Sequence, residues 1–367
     1  MKLHPEELEL ARAYNLSVPS NGLSPAQMRV TMDRGRELYH WFKNHQAIHA
    51  VINLSVMVLI FTADYAILLR MPRWLLGQQP HTWTVVVAAL VTGALHSWLM
   101  YSLTVYSMHE GAAHGVAFPH DDPVSRVMNR IVSNLCRVAA AEPREYSVHH
   151  MSHHAKFGTE QDGEFLNFVK PRRYWLTLLP FANIINYSDF LVHRPLTYTR
   201  GRILSGIVAL CYHIGFGYLM TQAFGLTFTL LAFVLFVPHV GFYLDRLRQY
   251  TEHNLMPLEN KDGSRSFGLG FWGMLIGGGP WGSPCHWEHH LVASLPWYQQ
   301  LILHRDLKRI LTPVQRKKYL LQPVVGYPRL LWRLWREPLQ FQRRIESAQR
   351  AMTAGGQAQR SGHHGYR

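Results

Sequence analysis

Near the C-terminal end of the 367-residue chain stands Cys285-His286-Trp287-Glu288-His289-His290-Leu291, an H-x-x-H-H pattern. On an α-helix, positions i, i+3 and i+4 share one face. Three imidazoles would therefore project the same way, as metal ligands do. The pattern recurs as His150-Met151-Ser152-His153-His154, and an H-x4-H pair, His109-Glu110-Gly111-Ala112-Ala113-His114, precedes it. A lone histidine pair means little, because helix surfaces often carry one; three boxes in one chain are hard to reach by chance. Together they offer His109, His114, His150, His153, His154, His286, His289 and His290. Eight imidazoles are too many for one ion and suit two. Neutral imidazole serves zinc, copper, iron and nickel alike, so ligand type alone does not choose the metal.

The elements that must position the boxes are long and apolar. The chain is 48% hydrophobic and only 16% charged, a balance shifted toward membrane proteins. Runs of about 20 apolar residues cross a bilayer as helices. Four are expected, at about 47–69, 82–106, 203–222 and 226–244, the last two forming a hairpin. The only formal charge in the first, Asp64, lies near its far end, within reach of the interface. The fold expected is thus all-α and multi-pass, with a helical cap built from 107–202 and 245–340. Residues 1–46 read as a polar lead-in with no signal peptide, in which Ser24-Pro25 before Gln27 marks a helix start. The tail 353–367, rich in Gly, Gln and Ser, is expected to be disordered, and its His363 and His364 receive no role.

Charge orients the spans. Arg34, Arg36, Lys43, Arg200, Arg202, Arg246 and Arg248 flank one set of ends, while the other connections carry Arg70 and Arg73. By the positive-inside rule both termini are cytoplasmic, in what is expected to be a bacterial inner membrane. All three boxes then fall on that same side. The net charge of +14 is explained by anionic lipid beside that face. The basic residues form no groove-like motif, so a nucleic-acid partner is not expected. Cys136, Cys211 and Cys285 are too widely spaced for a disulfide framework or a zinc pattern. Tyr174 to Pro180 is aromatic and too short to span, and Leu295-Pro296-Trp297-Tyr298 opens another apolar stretch; both are expected to lie on the membrane. A dense imidazole cluster without thiolate at such a surface fits redox iron on an apolar substrate better than a hydrolytic zinc site, which normally has three protein ligands and an open position.

An H-x4-H box after the second span, H-x-x-H-H about 35 residues later, a transmembrane hairpin and a final H-x-x-H-H resemble the membrane fatty acid desaturase superfamily. The local contexts His109 to Gly115, and His286 to Leu291 with Pro296-Trp297-Tyr298, are similar to that family's first and third boxes. The resemblance implies two non-haem irons, O2 as cosubstrate, and hydrogen abstraction from a fatty acid or an acyl thioester or lipid. It implies a ninth ligand at His253, and at Gln249 a residue where one branch has asparagine reaching iron through water. Glu252 is a ligand or an outer partner, and Glu110, Asp162 and Glu288 are further outer partners, since ligating imidazoles usually donate their second N–H to a carboxylate or carbonyl. The chain carries no cytochrome, flavin or ferredoxin motif, so electrons come from ferredoxin or a similar carrier with its reductase.

Desaturation is the expected outcome. Oxidative decarboxylation of free fatty acids to 1-alkenes, a branch of the same superfamily, and fatty acid or carotenoid hydroxylation are the alternatives. Decarboxylation needs a basic anchor for a carboxylate, for which Arg144, Lys156 and Arg265 are the candidates. Outside the boxes, His149 is off its pattern, and His49, His96, His213 and His239 in or near the spans are read as bonding neighbouring helices. A metal transporter would place ligands inside the spans, and these boxes lie outside them.

Overall fold

The computed structural model describes residues 22–77, 81–118, 122–159, 162, 200–234, 237–257, 263–322, 324–334 and 336. The segment Tyr174 to Pro180 and the tail lie outside the described residues. Among those described the chain is helical, with no strand and one isolated bridge between Ser266 and Leu320.

Helix α1, Pro25–Asn44, begins where the sequence marks it: Ser24 and Gln27 form a reciprocal capping box, with Pro25 in the first turn. It buries Thr31, Gly35, Leu38 and Phe42, a single stripe at helical spacing. Three helices are long and apolar enough to cross a membrane: α2 (Gln46–Leu76), α3 (Thr82–Ala113) and α6 (Arg200–Phe224). The fourth expected span is represented by α7 (Leu226–Val234) and α8 (Val237–His253), which both pack along α3. Only Gly225, at φ +86°, separates α6 from α7, a left-handed conformation that favours glycine. The chain is therefore an all-α protein with membrane-spanning helices.

The cap is built from α4 (Pro123–Asn134), a 3₁₀ turn Leu135–Ala139, α5 (Pro143–Lys156), α9 (Phe271–Ile276), α10 (His286–Leu291), α11 (Trp297–Ile310) and α12 (Pro313–Tyr319). It lies at the end of the bundle where α2 begins and α3 finishes: the Asn53 amide on α2 donates to the Ala117 carbonyl at 2.7 Å, just past α3. Its core joins Leu38 of α1 to Trp287 and Leu291 of α10, Leu303 and Leu307 of α11, and Tyr319 of α12. Burying each such aliphatic side chain is worth about 1.5–3 kcal/mol. Arg34 on α1 bonds Asp306 on α11 at 2.9 Å.

Two expectations are corrected here. The apolar face beginning at Trp297 is spent inside the cap, where α11 buries Leu303 and Leu307 against α1 and α10, and is not free to lie on a membrane. Asp64 does not reach an interface: it is 1% exposed and accepts from His96 Nδ1 at 2.6 Å and from the Tyr212 hydroxyl at 2.6 Å. A carboxylate inside a span is stabilised more by donors on neighbouring helices than by a strained reach to water. The expectation that span histidines bond their neighbours holds for His96, and for His49, whose Nδ1 pairs with the Tyr298 hydroxyl.

Candidate metal centre

The first box sits where α3 changes its winding. In an α-helix, residues five apart stand about 140° apart around the axis and could not share a ligand. Here Ser107–Ala113 is a π turn, closed by a bond from the His114 N–H to the His109 carbonyl at 3.2 Å. With i to i+5 bonding, five residues complete roughly one turn, so His109 and His114 face the same way. Their ring centroids lie 5.0 Å apart. Gly111 lets α4 approach this turn: a Cβ there would stand 2.7 Å from the Ser133 backbone nitrogen.

Helix α5 carries the second box and opens on Pro143 behind the Glu142 N-cap. The third box is α10 itself, and His253 is the last residue of α8. These elements bring all nine expected ligands together, sorted into two sets. His109, His114, His150 and His289 form one, with ligand nitrogens all within 4.8 Å of one another; His153, His253, His286 and His290 form the other on the same criterion. His154 stands between them, its Nε2 2.7 Å from that of His289 and its ring centroid 4.7 Å from that of His290. Each H-x-x-H-H box is therefore shared: His150 and His153 go to different sets, and so do His289 and its neighbours His286 and His290.

The far sides of three rings are held. His109 Nδ1 lies 3.2 Å from Glu110 Oε1, His153 Nδ1 2.9 Å from Asp162 Oδ1, and His253 Nδ1 3.0 Å from the Gly263 carbonyl. Partners of this kind fix the Nδ1–H tautomer and leave the Nε2 lone pair for a metal. The Nε2 atoms meet head to head: His109 to His289 at 3.1 Å, His114 to His150 at 3.1 Å and His253 to His286 at 2.9 Å. Two such lone pairs repel unless a cation or proton sits between them. Burial, reinforced by the neighbouring imidazoles, holds His114, His286, His289 and His290 well below the usual imidazole range. Those four rings are thus held toward the neutral form, which is the metal-binding form, and the donor set fits two cations that favour imidazole.

The acidic candidates divide. Glu110 bonds His109 with one oxygen and accepts from the Trp297 N–H at 3.1 Å with the other, tying the first box to the segment after the third. Asp162 braces His153 and accepts from the Gly158 N–H at 3.0 Å. Glu252 lies outside both sets: it accepts from Arg248 at 2.8 Å and Ser283 at 3.0 Å, and stands 3.6 Å from His286 Nδ1. Glu288 differs from expectation. It pairs with His304 Nδ1 at 2.7 Å and with the Ser266 hydroxyl, and braces none of the ligand rings, because the α10 backbone turns it to the opposite side. Gln249 donates to Asp245 Oδ2 at 3.1 Å, and its Oε1 is buried with no hydrogen-bond partner among the described residues. His149 is half-exposed, 3.8 Å from Glu145.

Sequence reasoning missed His304, the Gly263 carbonyl and Tyr146. Tyr146 precedes His150 by one turn of α5, its hydroxyl 3.3 Å from His150 Nδ1, a spacing that could have found it. Nothing in the sequence points to His304. Of the proposed carboxylate anchors, Arg144 and Lys156 are exposed on α5. Arg265 is buried and donates to the Asn254 carbonyl. Beside His114 opens a cleft of about 340 Å³ lined by Tyr39, Phe42, Ala113, Gly115, Val116, Met151, Ala293 and Ser294 as well as His114 itself. Among the described residues, no basic side chain other than that imidazole lines it.

No curated protein and no solved structure matches the chain significantly. A family model described as fatty acid desaturase matches residues 80–323, a span that contains every box together with His253. The protein belongs to the membrane fatty acid desaturase superfamily and is an oxidoreductase of that type.

Proposed function

We propose that the protein uses O2 and external electrons to desaturate a fatty acyl chain at a centre of two iron ions. The observation that carries this reading is the pair of adjacent four-histidine sets, with His154 between them. Two irons held there would supply O2 activation and hydrogen abstraction from an unactivated C–H bond. The chain's own residues supply the frame. Glu110, Asp162 and the Gly263 carbonyl fix ring tautomers, while the buried core around Trp287 keeps water from the rings.

The cleft beside His114 supports an apolar substrate. We read the substrate as an acyl chain carried as a thioester or lipid, its apolar part lying along Phe42, Val116 and Met151 of the cleft. That favours an internal double bond over decarboxylation to a 1-alkene. We place the centre and both termini on the cytoplasmic side, with ferredoxin or a similar carrier as electron source.

The test is mass spectrometry of products, with headspace sampling. Membranes containing the protein receive O2, a reductase system and either free fatty acids or their thioester and lipid forms. An O2-dependent internal double bond on a thioester or lipid is the expected result. A volatile hydrocarbon one carbon shorter than a free acid, or a hydroxy acid, would replace desaturation with decarboxylation or hydroxylation.

A further inference from the structure

Behind the third box lies a cluster that the two histidine sets do not use. On α10, His286, His289 and His290 belong to those sets, while Glu288 turns to the opposite side. There it meets Cys285, the residue before the box, and His304 of α11. Cys285, Glu288 and His304 are all buried, and each offers a ligand atom within 4.8 Å of the other two. The donors are a sulfur, a carboxylate oxygen and an imidazole nitrogen.

The surrounding chain holds each donor in place. Glu288 Oε2 accepts from the Ser266 hydroxyl, whose oxygen in turn accepts from the Trp287 N–H at 2.9 Å. That leaves Oε1, which His304 Nδ1 faces at 2.7 Å. Gly268 backs the imidazole closely: a Cβ there would stand 3.3 Å from His304 Nε2. The Phe267 and Gly268 N–H groups both donate to the Pro284 carbonyl, at 2.8 and 2.9 Å, so the residue before Cys285 is tied to the same loop. Cys285 itself N-caps α10 without a side-chain cap bond and is in no disulfide. Neither of those duties claims its thiol.

A hydrogen bond accounts for Glu288 and His304 but gives Cys285 no part, whereas a divalent cation accounts for all three. One thiolate, one carboxylate and one neutral imidazole around a doubly charged ion make a neutral site, the form that costs least to bury. Thiolate disfavours magnesium and calcium, which take oxygen ligands. The mixed sulfur, nitrogen and oxygen set suits tetrahedral zinc, with water in the remaining position. We propose that Cys285, Glu288 and His304 bind a zinc-class divalent cation separate from the two histidine sets. Binding displaces the proton between Nδ1 and Oε1, which moves to Nε2, and releases the thiol proton to solvent. The ion ties the start of α10 to α11, so the third box is fixed from the side away from its own ligands.

The experiment strips the full chain of metal with a chelator in nanodiscs and titrates it with Co2+, whose bond to a thiolate gives a near-ultraviolet charge-transfer band. Neither histidine set contains a thiolate, so cobalt bound there adds no such band. Wild type should develop the band, and Zn2+ should bleach it. Cys285→Ser should abolish it, while Cys211→Ser, at an exposed thiol, and His114→Ala, in a histidine set, should keep it. His304→Gln should weaken the cobalt affinity read from the band at least tenfold, and it decides the matter if Cys285→Ser does not fold. Wild type isolated from zinc-supplemented cells should also carry more zinc per chain than Cys285→Ser. A wild type without the band would overturn the site and leave a hydrogen-bonded cluster. So would a band that survives Cys285→Ser or His304→Gln unchanged, or one lost with Cys211→Ser. Equal zinc in wild type and Cys285→Ser would reduce the site to binding at forced cobalt concentration only and overturn it as well. None of these readouts uses O2 or substrate, so the site stands or falls apart from the proposed function.

Discussion

The two histidine sets are drawn from one residue type and largely from the same boxes, yet their surroundings differ. The set of His153, His253, His286 and His290 is buried throughout, with Asp162, the Gly263 carbonyl and Glu252 behind its rings. The set of His109, His114, His150 and His289 includes His114, which is only partly buried and borders the cleft. Glu110 and Tyr146 stand behind that second set. On the proposed function, the open set meets the substrate and the closed set is the more rigid frame. The contrast teaches that equal ligands need not be equal in access: what packs behind each ring decides that.

The largest expected effect falls on the ring that touches most of the open set. His289→Ala should abolish O2-dependent product and lower the iron content of purified protein, while the variant still inserts and is extracted as folded protein. Full activity would break the two-iron assignment. A smaller effect separates the sets. Asp162→Ala, which removes the acceptor of the His153 N–H, should weaken one metal equivalent by about ten- to a hundredfold in a chelator competition and leave the other close to wild type. Glu110→Ala should do the same to the other equivalent. If either substitution weakened both equivalents alike, the sets would not bind independently.

The smallest effect is common to both sets and concerns acid. Burial holds His114, His286, His289 and His290 well below the usual imidazole range in the folded protein. The unfolded chain takes up protons at these positions near pH 6.5, while the folded metal-free chain does not. The unfolded state then binds more protons, so stability rises with pH. Melting temperatures of the metal-free protein in detergent should accordingly be flat above about pH 7.5 and decline as pH falls through and below about 6.5. A melting temperature that rose on acidification would mean that the rings are charged in the folded state.

Much of this was legible in the sequence because it is local. Helical periodicity, apolar length and the Ser24–Gln27 capping pattern depend on neighbours within a turn or two, and the fold keeps them. The box spacings likewise marked eight of the nine imidazoles, the ninth, His253, being implied by the family resemblance, and acids in or near the boxes such as Glu110 and Asp162 were found for the same local reason. Gly111 shows the boundary: its place in the first box is legible, but its necessity comes from α4, whose Ser133 nitrogen leaves no room for a Cβ.

The residue types and spacings by themselves determined an all-α membrane chain with three histidine boxes and chemistry suited to two metals. Only the tertiary structure decided how those histidines are shared. A shared helix face suggests that one box serves one ion, but the elements converge from several directions, so i+3 and i+4 neighbours reach different sets. The π turn that lets His109 and His114 face the same way packs against α4, a partner that the local sequence does not name. The pairing of Asp64 with His96 and Tyr212, and of Glu288 with His304, likewise joins residues on different helices. A buried charge takes its stabilisation from whatever donor the fold brings near, and distance along the chain does not reveal which donor that is.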